Sequence, residues 1–286
     1  METIIGIGKV GCNIARKFEK YPQYKVYKVG SEESKEKRYL KLPVYESQEE
    51  YEANPPKVGN FFRGISSEPV MFVLCGASMV TGVSLVMMQQ LVEKGCKIRV
   101  LYVHPEVELL GESKALQERV VRNVLQQYAR SAAIDRVYLI SNVALEEMSE
   151  DLTIMNYHDT LNELASSTVH MINYFDNSKS VSDTFSRAVP SARISTFGFV
   201  NFETGEEKMF FPLDKVRELR YYYGISRKRL ETESQLFRKI VNQVKAKRTE
   251  DTKVSYGIFA TDYEHDYVYI VAHSSKIQEI QEIQEK

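Results

Sequence analysis

The sequence predicts an α/β protein, a parallel sheet covered by helices, followed by a smaller α+β unit. Three observations carry this. Through the first half, short apolar, β-branched runs alternate with helical patterns of ten or more residues, which is the rhythm of a parallel sheet covered on both faces. The first of these runs passes straight into a glycine turn, "IIGIGKVGCN". After residue 176 the alternation stops and closely spaced strand patterns take over.

The elements follow in order. Strands are predicted at "TIIGIG", "KVYKV", "PVMFVLC", "KIRVLYV" and "RVYLIS", and helices at 11–20, 80–94, 112–131 and 156–175. Between the second and third strands, residues 31–68 are polar, carry a Pro-Pro pair and show little periodicity. They read as a long surface excursion on the ligand side of the sheet. In the second half, "SARISTFGFVNFETGEEKMFFPL" reads as a hairpin turning at Thr204-Gly205. "SRKRLETESQLFRKIVNQVKAK" reads as one long amphipathic helix with Leu230, Leu236, Ile240, Val241 and Val244 on its apolar face. "KVSYGIFATDYEHDYVYIVAHS" reads as a second hairpin, and the closing "KIQEIQEIQEK" as a frayed helix or solvated tail. The expected organisation is a first domain over 1–155, a connecting helix over 156–176 and a smaller α+β domain over 177–286.

Composition narrows the function. With 286 residues, 43% hydrophobic and 27% charged, the chain has ample material for a core. A net charge of −1 gives no bulk pull toward nucleic acid or anionic membrane. The longest apolar stretch, "VTGVSLVMMQQLV", is too short and too amphipathic to span a bilayer, and no leader pattern precedes the first strand. Cys12, Cys75 and Cys96 lie in or beside apolar segments without metal-ligand spacing, as expected of reduced, packed thiols in a cytoplasmic protein. His104 has no catalytic partner in sequence and reads as structural.

The chemistry starts at the glycine turn. Gly6, Gly8 and Gly11 fit G-x-G-x-x-G between a strand and a helix, a pattern that rests a phosphate on a helix N-terminus or packs helix on sheet. An NAD-dependent enzyme would add an acid at the end of the second strand to take the ribose hydroxyls. That strand ends near Val29, and the nearest acid, Glu32, comes slightly late. No His–Asp or Lys–Tyr pair downstream suggests hydride transfer.

Further segments, in order, resemble the tubulin/FtsZ superfamily. The first loop, "GIGKVGCN", includes Cys12 and ends at Asn13, where that family has a base-contacting asparagine. "ANPPKVG", residues 53–59, is similar to its A-N-P-x-V-G loop, one residue longer. "GASMVTG", residues 76–82, stands in the frame of the signature G-G-G-T-G-[ST]-G. It keeps Gly76, Thr81 and Gly82 but has Ala77, Ser78 and Val80 at glycine positions. "LGESK" sets Gly111 and Lys114 in register with E-G-x-x-R, with Leu110 in the column of the ribose-binding acid and Glu108 and Glu112 nearby. "RVYLISN" ends at Asn142, and "NYHDTLNELA" offers Tyr157 or His158 and Asn162 where the family holds guanine. The resemblance covers roughly residues 3–175.

It implies GTP or GDP as ligand, magnesium with the nucleotide, and head-to-tail assembly with itself or another filament-forming protein. It also implies a catalytic loop, N-x-D-x-x-D, that one subunit offers to the next. In "NYFDNSKSVSDTFSRAVP", Asp183 aligns with the last acid, whereas Ser178 and Ser180 stand at the amide and the first acid; Asp176 substitutes only in a rearranged loop. Serine is too weak a base to activate water unaided, and side chains at 77, 78 and 80 crowd a backbone phosphate cradle. Weak binding with little hydrolysis is therefore expected. The alternatives are an NAD(P)-dependent Rossmann enzyme and a structural protein that keeps the fold without nucleotide.

Overall fold

The computed structural model describes residues 2–149 and 152–279. Five parallel strands form the first part of the sheet: β1 (Glu2–Ile7), β2 (Tyr24–Gly30), β4 (Val70–Cys75), β5 (Ile98–His104) and β6 (Arg136–Ser141). A short β3 (Tyr39–Lys41) adds to the edge at β2. Their order is β3-β2-β1-β4-β5-β6. The middle stretches of the strands are mostly apolar because both faces are covered. On one face α1 (Gly8–Lys17) and α6 (Tyr157–Asp176) close a core that includes Ile4, Phe18, Val73 and Val103. On the other, a second core includes Phe72, Met87, Tyr102 and Leu125, and α3 (Ser84–Glu93) and α4 (Glu112–Arg130) cover it.

The same sheet continues past β6. It joins β8 (Ile194–Val200) in parallel through Val137 opposite Ile194 and Tyr138 opposite Ser195. Beyond lie β12 (Tyr267–Ser274), β10 (Val216–Ser226), β11 (Lys253–Thr261) and the two-residue β7 (Ser182–Asp183). A third apolar core lies beneath α8 (Leu236–Ala246), whose Leu236, Ile240 and Val244 face inward. The hairpin at Thr204-Gly205 is present: β8 pairs antiparallel with β9 (Glu207–Met209), and Gly205 takes the left-handed φ of +74° that the turn needs.

Four expectations are corrected. The expected second hairpin does not exist, since β10 lies between β11 and β12 and pairs with both. The long helix is broken into α7 (Arg227–Thr232) and α8, and β10, with Tyr221, Tyr222 and Tyr223 all buried, precedes them. The 31–68 excursion is not a surface loop. It forms β3 and α2 (Gln48–Ala53), and its Leu42, Tyr51, Val58, Phe62 and Ile65 are buried in the core. Finally, the start of the tail is anchored, not solvated. Buried Gln278 accepts from the Asp214 amide at 2.7 Å and takes the Gln126 side-chain oxygen on its own amide at 2.7 Å. Residues 280–286 of the tail lie outside the described residues. No helix among the described residues is long and apolar enough to cross a membrane.

Candidate functional site

Parallel strands end together, so the loops after β1, β4, β5 and β6 share one edge of the sheet. The glycine turn is the first of these. Its three glycines have different jobs. Gly8 opens α1 at φ +70°, a conformation open to few other residues. A side-chain carbon on Gly6 would stand 2.3 Å from the Gly11 carbonyl oxygen, and one on Gly11 would stand 2.2 Å from that of Val73. Gly6 and Gly11 therefore let α1 lie on the backbones of β1 and β4. Cys12 is also turned inward. Its thiol reaches the Val29 carbonyl at 3.4 Å, and burial pushes its pKa up to about 11. Asn13 is half-buried, and its side-chain oxygen accepts from Arg16 at 2.8 Å; Arg16 in turn pairs with Glu36 at 2.8 Å.

The loop after β4 stands next to this turn. Any side-chain carbon on Gly8 would lie 2.6 Å from the Ser78 hydroxyl, so Ser78 fills the space over the helix start. The rest of the loop is held from inside. Gln48, on α2, donates from one amide nitrogen to the carbonyls of Gly76 at 3.1 Å and Ser78 at 2.9 Å. Thr81 is buried and its hydroxyl donates to the Cys75 carbonyl at 2.8 Å, capping the turn. Gly82 packs beneath α2, where a side-chain carbon would meet the Gln48 carbonyl oxygen at 2.4 Å. Gly76 packs against the Tyr102 hydroxyl in the same way, at 2.1 Å. Ala77 is half-buried against the core beneath α1 and α6. Of the five predicted residues in this loop, Ser78 is the one a side chain on Gly8 would meet. Gly76 and Gly82 are held close to Tyr102 and α2, and Thr81 is tied to the Cys75 carbonyl.

The remaining predicted residues come from the other loops. Lys114 is exposed in the first turn of α4 and makes no ion pair with a described residue. Asn142 opens α5 (Asn142–Glu147) directly after β6, half-buried. Tyr157 opens α6, and its hydroxyl donates to Glu146 at 2.8 Å. Partial burial and that carboxylate push its pKa up to about 12. Asn162 is half-buried one turn further along α6. His104, read from sequence as structural and without a partner, is buried and does face a carboxylate. Its Nδ1 lies 2.8 Å from the buried Glu118 carboxylate, which also accepts from Arg122 at 2.9 Å and Tyr102 at 2.9 Å. Burial pushes Glu118 up, but these donors hold it below the ordinary carboxylate range.

Asp183 is far from all of these, beyond the other end of α6. One of its oxygens accepts from the Phe185 amide at 3.2 Å and the other from the Ser180 hydroxyl, so its own loop occupies the carboxylate. Asp176, at the last residue of α6, accepts from the Tyr222 hydroxyl at 2.8 Å. Sequence reasoning missed Gln48. The signal was present: Ser47 caps α2 by accepting from the Glu50 amide at 3.2 Å, the S-x-x-E pattern of a helix start inside the supposed excursion. Where a dinucleotide enzyme would place its ribose-binding acid, the space beyond Gly30 is taken by the Tyr39 hydroxyl, 2.5 Å from a would-be side-chain carbon, and that hydroxyl donates to the Glu32 carbonyl.

A parallel sheet with a glycine turn after its first strand, crossed by one long helix and continued by a mixed sheet, defines an α/β architecture. Comparison with solved structures makes it specific: the chain has the tubulin/FtsZ fold. A GTPγS-form protofilament of Bacillus thuringiensis serovar israelensis TubZ superposes with a TM-score of 0.71 at 13% identity, over 95% of this chain and 86% of that one. An FtsZ dimer from M. jannaschii gives 0.67 at 11% identity, over 96% and 88%. A protofilament of CetZ2 from Haloferax volcanii gives 0.67 at 12% identity, over 95% and 92%. No protein-family model and no curated protein matches the sequence. The NAD-enzyme alternative is not favoured.

Proposed function

We propose that this protein is a tubulin/FtsZ-like cytoskeletal or scaffold protein that associates head to tail, with itself or onto another filament-forming protein. Guanine nucleotide, with magnesium, is its expected ligand, held weakly or conditionally and hydrolysed little. One observation carries the assembly reading: the fold aligns over nearly its whole length with subunits taken from protofilaments. The placement of the acids supports it. α6 has 20 residues, a length of about 30 Å, with Tyr157 at one end and Asp176 at the other. A carboxylate so far from the glycine turn serves a neighbouring copy, not its own. The Ser78 hydroxyl over Gly8 supports weak nucleotide binding, because a backbone cradle accepts phosphate only where side chains stand clear.

The same contact favours a second reading, a protein that keeps the fold and the assembly without nucleotide. Titration with labelled GTP, ATP and NAD, with and without magnesium, alongside sedimentation, separates the two. Saturable binding of GTP in preference to ATP supports the first. Assembly with no nucleotide binding supports the second. A clear NAD complex without GTP binding, or a strict monomer in every condition, rejects both.

A further inference from the structure

The last stretch of the sequence repeats a three-residue unit: Ile277-Gln278-Glu279, Ile280-Gln281-Glu282 and Ile283-Gln284-Glu285, ahead of Lys286. The first unit lies within the described residues and shows how such a unit seats. Ile277 packs against the core that α4 covers, Gln278 is buried and Glu279 is exposed. The flank of α4 holds Gln278. Its amide donates to the Gln126 side-chain oxygen at 2.7 Å, and its carbonyl accepts from Arg122 at 2.8 Å and from the Gln126 side-chain nitrogen at 3.2 Å. Arg122 and Gln126 are four residues apart, one above the other on the helix.

The next row round α4, three residues back from each of these, is Arg119 and Asn123. Asn123 has a side-chain oxygen that is buried and without a hydrogen-bond partner among the described residues. The row after that is Leu116 and Val120, 59% and 52% exposed. The helix therefore passes from a row that holds the first unit, through a row with an unused acceptor, to a bare apolar row. The second and third units offer what those rows lack, an amide donor in Gln281 and apolar side chains in Ile280 and Ile283. The charges are complementary as well. The repeat is acidic at Glu279, Glu282 and Glu285, whereas the exposed side of α4 carries Lys114, Arg119 and Arg130 against Glu112. Reach is sufficient. Leu116 lies about 15 Å along the helix axis from Gln126, and residues 280–286 can span about 23 Å.

We propose that the outer face of α4 is the docking surface for residues 280–286 of the same chain. Gln281 donates to the Asn123 side-chain oxygen, and Ile280 and Ile283 cover Leu116 and Val120. The contact clasps the segment after the last strand onto a helix of the first part of the sheet. It is made within one chain and needs neither nucleotide nor assembly.

The test uses full-length protein. The chain has no tryptophan, so Val120→Trp places a single indole on this face. Acrylamide quenching of that indole is measured with the native terminal segment and with Ile280→Asp and Ile283→Asp together, at several protein concentrations. Far-UV circular dichroism checks that each variant is folded, and Leu116→Trp repeats the measurement from the neighbouring position. The quenching constant is expected to be low with the native segment at every concentration and to rise severalfold with the two aspartates. Equal quenching with both segments, at both indole positions, overturns the proposal. Shielding that is lost on dilution also overturns it, because the face is then covered by a second copy and not by its own chain.

Discussion

Gly11→Ala separates the packing role of the glycine turn from a ligand role. In an open helix the change would stabilise by about 1 kcal/mol, from helix propensity. Here the new carbon would stand 2.2 Å from the Val73 carbonyl oxygen and 3.0 Å from its carbon, more than 1 Å inside ordinary contact. Both are backbone atoms of a central strand, so β4 cannot give way and α1 must lift. Lifting α1 loosens Ile14, Ala15 and Phe18, which are buried beneath it. Overpacking of this kind costs about 1–3 kcal/mol, and loosening the core adds to it, so the net loss should be about 3 kcal/mol. With a urea m-value of about 3 kcal/mol/M for a chain of this size, the unfolding midpoint should fall by about 1 M. Gly59→Ala is the control. Nothing lies within 4 Å of its would-be side chain, and the midpoint should hold or rise slightly. A Gly11→Ala midpoint equal to wild type, combined with lost GTP affinity, would refute the packing argument and restore the phosphate role.

Ser78→Gly removes the hydroxyl over Gly8 and should raise GTP affinity about tenfold, equivalent to about 1.4 kcal/mol, in an anisotropy titration; unchanged affinity would mean Ser78 does not obstruct the cradle. Asp183→Asn should leave nucleotide affinity of the isolated subunit unchanged and reduce any phosphate release by assembled protein at least about tenfold; a fall in subunit affinity would contradict a role offered to a neighbour. Stability should decline as pH falls below about 6.5. Burial and the Arg136 charge depress the pKa of His273 well below its ordinary value, and burial and Lys20 depress that of His170. The unfolded chain therefore binds more protons in that window, and each histidine contributes a slope of up to about 1.4 kcal/mol per pH unit. Urea unfolding at pH 7 and 5.5 checks this, and His273→Gln should flatten the dependence; an identical slope in the variant would mean His273 does not carry it.

Much of the first sheet was legible because its strands and helices carry their own periodicity. β1 and the helix at 112–130 fall within a residue of where pattern alone puts them, whereas α1 starts at Gly8, three residues before the expected 11. The glycine spacing was legible too, but not how the three glycines divide their roles, because Gly6 is required by α1 folding back onto it and Gly11 by the backbone of β4, distant in the chain. The 31–68 segment hid its burial. Tyr51 enters the core from the short α2, and Val58, Phe62 and Ile65 from non-helical backbone after it, with no repeat to reveal it. β10 was missed for a related reason. Its Tyr221, Tyr222 and Tyr223 are buried on both faces of the sheet, so the strand shows no alternation, and the basic run after it imitates a continuing helix. The β11–β12 turn looks local, yet β10 inserts between its arms, a pairing no local signal encodes. At the candidate site, sequence singled out Ser78 and Ser180 as departures from the superfamily pattern and Asp183 as a match to it. It could not show that Gln48 braces the loop or that Ser180 occupies the Asp183 carboxylate.

The most direct test of the central claim is electron microscopy of purified wild-type protein at high concentration, with GTP and magnesium and without them. Head-to-tail association through unlike ends of the subunit predicts strands one subunit wide, every subunit in the same orientation along the strand axis. Closed two-fold dimers, or single particles at every concentration and in both conditions, would contradict it.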